Sequence, residues 1–216
     1  MTKRIGIEVN GVLRNTLGKI RQTYEKFMIE NNSEEKTFML DLSGNTELMV
    51  EDKPFEYKLL NEVDSLNLSS HFAFKSEDEL YDFLYQEFAM QIFGHAESTE
   101  MHTFHTLNDV YVKYRNTNDL LIVSDEIGKS KPATLFFLSK FGCQLEKVKF
   151  YSDTTKNSIW DEVDVLVTAN PTILNDHPTN KVVIKFNTNY NKKNKSKHEI
   201  NSLTELDECL QKLGIC

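Results

Sequence analysis

Five short apolar, β-branched runs in this 216-residue chain each end in a polar cluster: "EVNG" from Glu8, "SDE" from Ser124, "SDTTK" from Ser152, "TANP" from Thr168 and "FNTNY" from Phe186. If the runs are neighbouring parallel strands, these ends share one edge of a sheet, where open α/β proteins bind ligands. Three of the clusters carry carboxylates, Glu8, then Asp125 with Glu126, then Asp153. Converging on one point, they would offer the oxygen ligands that magnesium requires. Standing apart, they would only cap strand ends and helix starts. A second grouping, "HTFH", sets His102 and His105 three residues apart on one side of a helix, with His95 nearby. No third ligand or acidic neighbour is identifiable, so surface exposure or packing is the expected role. Trp160, the one tryptophan, is expected to pack in the core or its wall.

The elements that would position these groups are legible from periodicity. Strands are expected at 5–9, 120–123, 148–151, 165–167 and 182–186. A helix at 132–141 opens on Pro132 and stops at Gly142, and a last one at 202–214 has Ser202 as N-cap with Glu205 three residues on. Strands alternating with helices imply an α/β fold, a Rossmann-like parallel five-stranded sheet with helices on both faces.

Roughly a hundred residues separate the first two strands, where a crossover needs about a dozen, so an insertion is expected at 17–118, leaving 1–16 and 119–216 as the core domain. Within it helices are expected at 17–31, 77–93 and 104–115. Ser76 and Glu79 form a capping box for the second, and Leu80, Phe83, Leu84, Phe88 and Ile92 make its core-facing stripe. Tyr81, Tyr85 and Phe93 would form an aromatic patch if this lobe docked a partner. The lysine- and asparagine-rich stretch 187–199 reads as a solvated, mobile loop.

Composition narrows the functional classes. A net charge of −8 disfavours a nucleic-acid polymer as partner, and no apolar run is long enough to span a bilayer. Three scattered cysteines, Cys143, Cys209 and Cys216, suggest neither a disulfide framework nor a zinc cluster, which fits a reducing, cytoplasmic setting.

The stretch Glu8, Val9, Asn10, Gly11, Val12, Leu13, Arg14, Asn15, Thr16 resembles the opening motif of the haloacid dehalogenase-like (HAD) superfamily of phosphohydrolases, Asp-x-Asp-Gly-Val-Leu-x-Asp-Thr. The insertion resembles that family's mainly helical cap after the first strand, and "TANP" with the tail "KVVIKFNTNYNK" is similar to its 5′(3′)-deoxyribonucleotidase-like branch. The resemblance implies catalytic roles for Glu8, Asn10 and Lys156, and phosphate contacts from Gly11, Ser124 and Lys156, with Lys131 as the alternative lysine. It implies magnesium as cofactor, for which Glu8, Asp125 and Asp153 are the candidate ligands, and it places Thr168 and Ala169 where the family carries acidic residues.

Those replacements bear on the chemistry. Glu8 is one methylene longer than the aspartate nucleophile, and a misplacement of about 1 Å can cost on the order of 10²-fold in rate. Asn10 cannot act as the general acid and base. The expectation is a degenerate phosphatase fold retained for a small phosphorylated molecule or a protein partner. The alternatives are a magnesium-dependent nucleotidase acting on nucleoside monophosphates through a rebuilt carboxylate site, and a structural interaction module.

Overall fold

The computed structural model describes residues 2–43, 63–152 and 154–215, with only the backbone described for 31–43. In chain order the elements are β1 (Arg4–Glu8), α1 (Thr16–Ser43), α2 (Glu77–Asp82), α3 (Thr103–Tyr114), β2 (Asp119–Asp125), α4 (Ser130–Lys140) and β3 (Val148–Tyr151). They continue with α5 (Ile159–Glu162), β4 (Val165–Thr168), α6 (Pro171–Asn175), β5 (Val182–Phe186), β6 (His198–Ile200) and α7 (Leu206–Lys212). All strand pairs are parallel, in the order β3-β2-β1-β4-β5-β6. The chain winds outward from β1 on one side and resumes on the other at β4, so the switch point lies between the ends of β1 and β4.

Side-chain alternation along the strands divides the core in two. Leu120 and Ile122 of β2 join Ile5, Ile7, Val165 and Val167 in a cluster completed by α3, α4 and α7. Leu121 and Val123 face the other way, against Ile159, Trp160, Ile173 and Leu174 of α5 and α6. Trp160 is thus a wall residue, as its isolation in the sequence suggests. A third cluster belongs to the insertion: Tyr24 of α1 meets Phe72, Phe74 and Phe83 at centroid distances of 4.9, 5.2 and 6.0 Å, and Ala133 of α4 joins it to the core. Among the described residues no helix is long and apolar enough to cross a membrane.

Three local expectations are corrected. A sixth strand, β6, lies within and just after the stretch 187–199, and the turn Asn189–Asn191 inside it is anchored, not solvated. Asn191 is fully buried: its amide donates to the carbonyls of Ala169 (3.0 Å) and Phe186 (2.9 Å), and its oxygen accepts from the Thr188 N–H (2.9 Å). Polar composition hid it because burial of Asn191 depends on the packing of the turn against Ala169, 22 residues earlier, and not on any apolar periodicity of its own segment. The expected helix 77–93 begins with Ser76 accepting from the Glu79 N–H as N-cap, then runs into two π-helical stretches, Phe83–Glu87 and Met90–Gly94. Its apolar stripe is buried nonetheless. Phe93 is not part of an outward aromatic patch, since it is buried and stacks parallel to Tyr85 at 5.6 Å, while Tyr85 meets the exposed Tyr81 at 5.2 Å.

Replacing Asn191 with alanine removes three hydrogen bonds and leaves buried partners unsatisfied. We predict a loss of about 3 kcal/mol in urea unfolding, with little change if the turn is in fact solvated.

Candidate functional site

β1 ends at the switch point with Glu8, fully buried despite its charge. Its carboxylate links the ends of β3 and β4, which flank β1 and β2 in the sheet. The Tyr151 hydroxyl at the end of β3 donates to Oε1, and the Thr168 hydroxyl at the end of β4 donates to Oε2. Backbone N–H groups of Ala169 and Asn170 add to the donor set. Burial pushes the Glu8 pKa above the usual carboxylate value, while these donors pull the other way. Burial and the Glu8 charge together hold the Tyr151 phenol well above its ordinary pKa, so it stays a donor.

Three residues after Glu8, the chain turns through Gly11 at φ +78°, a left-handed conformation that favours glycine. A Cβ there would collide with the Tyr190 hydroxyl, carried by the Asn191-anchored turn. The loop folds on itself: the Gly11 N–H donates to the Arg14 carbonyl at 2.9 Å, and those of Leu13 and Arg14 to the Val9 carbonyl at 3.0 and 2.9 Å.

Arg14 is the largest fully buried side chain. All five of its N–H groups find acceptors: Nε donates to Thr16 (3.1 Å), one terminal nitrogen to the Phe93 carbonyl (2.8 Å) and Thr134 (2.6 Å), the other to Asn10 Oδ1 (2.7 Å) and to Glu126 Oε1. Phe93 and Phe137 flank the guanidinium at 5.1 and 5.3 Å. Glu126 Oε1 also accepts from Ser124 (3.1 Å) and Thr134 (2.8 Å). Asn10 is consumed in the same network, its oxygen accepting from Arg14 and Thr16 and its amide donating to the Asp125 carbonyl at 3.1 Å.

A cavity of about 580 Å³ opens above this network. Its strand-end side is polar, with Glu8, Asn10, Gly11, Asp125, Asn170 and Tyr190; its other side is apolar, with Leu17, Ile20, Val63, Leu68, Leu84 and Phe93. Of the site residues expected from sequence, Glu8, Asn10, Gly11 and Asp125 therefore come together. Ser124 does not join them, because it is fully buried and donates to Glu126. Neither lysine is among the lining residues: Lys156 opens a 3₁₀ turn after β3, and Lys131 sits on α4 over the Phe150 ring at 5.9 Å. Asp153 lies outside the described residues. Thr168 serves as a donor to Glu8, and Ala169 is core, its carbonyl accepting from Asn191. His105 is exposed beside Asp109 at 3.5 Å, and no metal-ligating group of three is found among the described residues. Sequence reasoning missed Arg14, Thr134, Tyr151 and Tyr190. The signal for the first was a lone arginine inside an otherwise apolar turn, which needs a buried acid such as Glu126.

Comparison with solved structures shows the fold. A haloacid dehalogenase-like hydrolase from Burkholderia xenovorans LB400 superimposes with a TM-score of 0.58 at 13% identity, covering 100% of both chains. The HAD-hydrolase YfnB from Bacillus subtilis, bound to magnesium, gives 0.57 at 13% identity over 97% of this chain and 99% of its own. A dehalogenase with an intermediate complex gives 0.51 at 17% identity over 95% of each. The chain has the HAD-like hydrolase fold. No family model and no curated protein matches the sequence.

Two measurements check the network. Arg14→Met leaves Glu126 buried without its counter-charge and is predicted to cost about 3–5 kcal/mol in chemical unfolding, most of it regained in the Arg14→Met, Glu126→Leu double variant. For Glu8, a folded pKa above the unfolded one means stability fully present below about pH 4.3 and lost as pH rises through the folded value. The stability of the native protein relative to Glu8→Gln is therefore predicted to decline as pH rises above about 4; a rise instead would reverse the sign of the shift.

Proposed function

We propose that this HAD-fold protein is non-catalytic and that its strand-end cavity binds a small molecule. One observation carries the reading: both oxygens of Glu8, the carboxylate in the nucleophile's position, accept hydroxyl donors from neighbouring elements. An attacking oxygen must reach within about 3–3.5 Å of phosphorus along a fixed line. Using Glu8 in that way would break the tie between the ends of β1, β3 and β4. Asn10, at the acid–base position, has no titratable proton and is bonded on both its oxygen and its amide.

Magnesium, which YfnB binds, finds only Glu8 and Asp125 as carboxylates at the cavity among the described residues, which hold no metal-ligating group of three. Glu8 is engaged by hydroxyls, Asn10 Oδ1 faces a guanidinium, and Thr168 and Ala169 bring no carboxylate. A guanidinium within hydrogen-bond reach of Asn10 also repels a divalent cation. The cavity itself has the volume of small-molecule sites and their mixture of apolar surface with a few convergent polar groups.

The test is turnover of an aryl phosphate and a panel of nucleoside monophosphates by the purified protein, with and without magnesium. We predict hydrolysis at the background rate in both conditions. Magnesium-dependent turnover that co-purifies with the protein would reject the reading.

A further inference from the structure

We infer that the cavity selects ligands without negative charge, taking an apolar body against its helical side and an amine or hydroxyl head at the strand ends. This rests on the reading of the cavity as a binding site and adds the class of molecule it accepts. It departs from the phosphorylated ligand that the sequence implies.

Four observations converge on it. First, the groups expected to hold a phosphate are turned elsewhere: Ser124 donates to Glu126, and neither Lys131 nor Lys156 is among the lining residues. Second, the loop after Asn10 spends the N–H groups of Gly11, Leu13 and Arg14 on its own carbonyls. The Tyr190 hydroxyl lies against Gly11, covering the loop where an anion would need to approach backbone N–H groups.

Third, the charges that reach the cavity are mainly negative. Glu8 and Asp125 line it from the strand ends. Among the described lining residues the one base, Arg21, is paired along its helix with Glu25 at 2.9 Å. Arg14 lies beneath with every N–H engaged, leaving none for a ligand. Fourth, the remaining polar lining, the side chains of Asn15, Asn170, Asn189, Thr16, Thr99 and Thr188, is uncharged and brings nothing to offset these carboxylates. Opposite them, the apolar side excludes water from a ligand's hydrocarbon body.

A matched series separates charge from shape: 2-phenylethylamine, 2-phenylethanol and 2-phenylethyl phosphate, titrated near neutral pH by calorimetry and ligand-observed NMR. The expected order of affinity is amine, then alcohol, with the phosphate weakest. Asp125→Asn should weaken the amine by about tenfold and leave the alcohol unchanged, whereas a purely structural role for Asp125 would move both together. Leu66→Trp, at a half-exposed lining position, should weaken all three. Equal or tighter binding of the phosphate overturns the inference, as does failure of all three to bind at millimolar concentration. Both results are independent of whether phosphate esters are hydrolysed.

Discussion

A buried ion pair sets the terms for the rest of this molecule. Arg14 and Glu126 have no solvent exposure, and taking two such ions out of water costs several kcal/mol each unless hydrogen bonds offset it; every Arg14 N–H is engaged, and Glu126 gathers its donors on Oε1 while its buried Oε2 has no partner among the described residues. That requirement explains the company they keep. Thr134 on α4, Ser124 on β2, Asn10 and Thr16 on the turn after β1, and the Phe93 carbonyl at the end of the inserted helices are each drawn to the pair by a hydrogen bond. Arg14 alone thereby ties together three stretches distant in sequence: the turn after β1, the end of the inserted helices, and the residues from Glu126 to Thr134.

The same economy governs the end of β1. A carboxylate in a water-poor position is costly unless it accepts several donors, and Glu8 receives them from β3 and β4. A position that serves chemistry in a phosphohydrolase thus serves cohesion here, and the two uses compete for the same lone pairs. Stability at a strand-end site commonly trades against activity in this way.

The range of each interaction decides how far it is legible in the sequence. The strands and most helices are legible because burial imposes periods of two and 3.6 along the chain. Glu8, Asn10, Gly11 and Asp125 are legible as a group because strand ends share an edge. Ser124 and Lys156 mislead because a residue's type says nothing about where its hydroxyl or ammonium turns. Thr168 resembles a lost acid and is a donor. Asn191 and β6 are hidden in a lysine-rich stretch because what orders them, the contact with Ala169 and pairing with the edge of β5, leaves no apolar pattern in the stretch itself.

The two π-helical stretches have an effect beyond local geometry. Each widens the helix by lengthening its hydrogen-bonded ring, and such turns are usually solitary. Here the second, Met90–Gly94, closes with the His95 N–H on the Met90 carbonyl, and the nearby Phe93 carbonyl is left to accept from Arg14. The partial negative charge of a helix's carboxyl end is thereby aimed at a buried cation. Angular phase along this segment is therefore held fixed by its last turn. Removing one residue anywhere between Phe83 and Gly94 would rotate the downstream residues by about 100° and carry that carbonyl off the guanidinium, so this lobe tolerates substitution far better than changes in length.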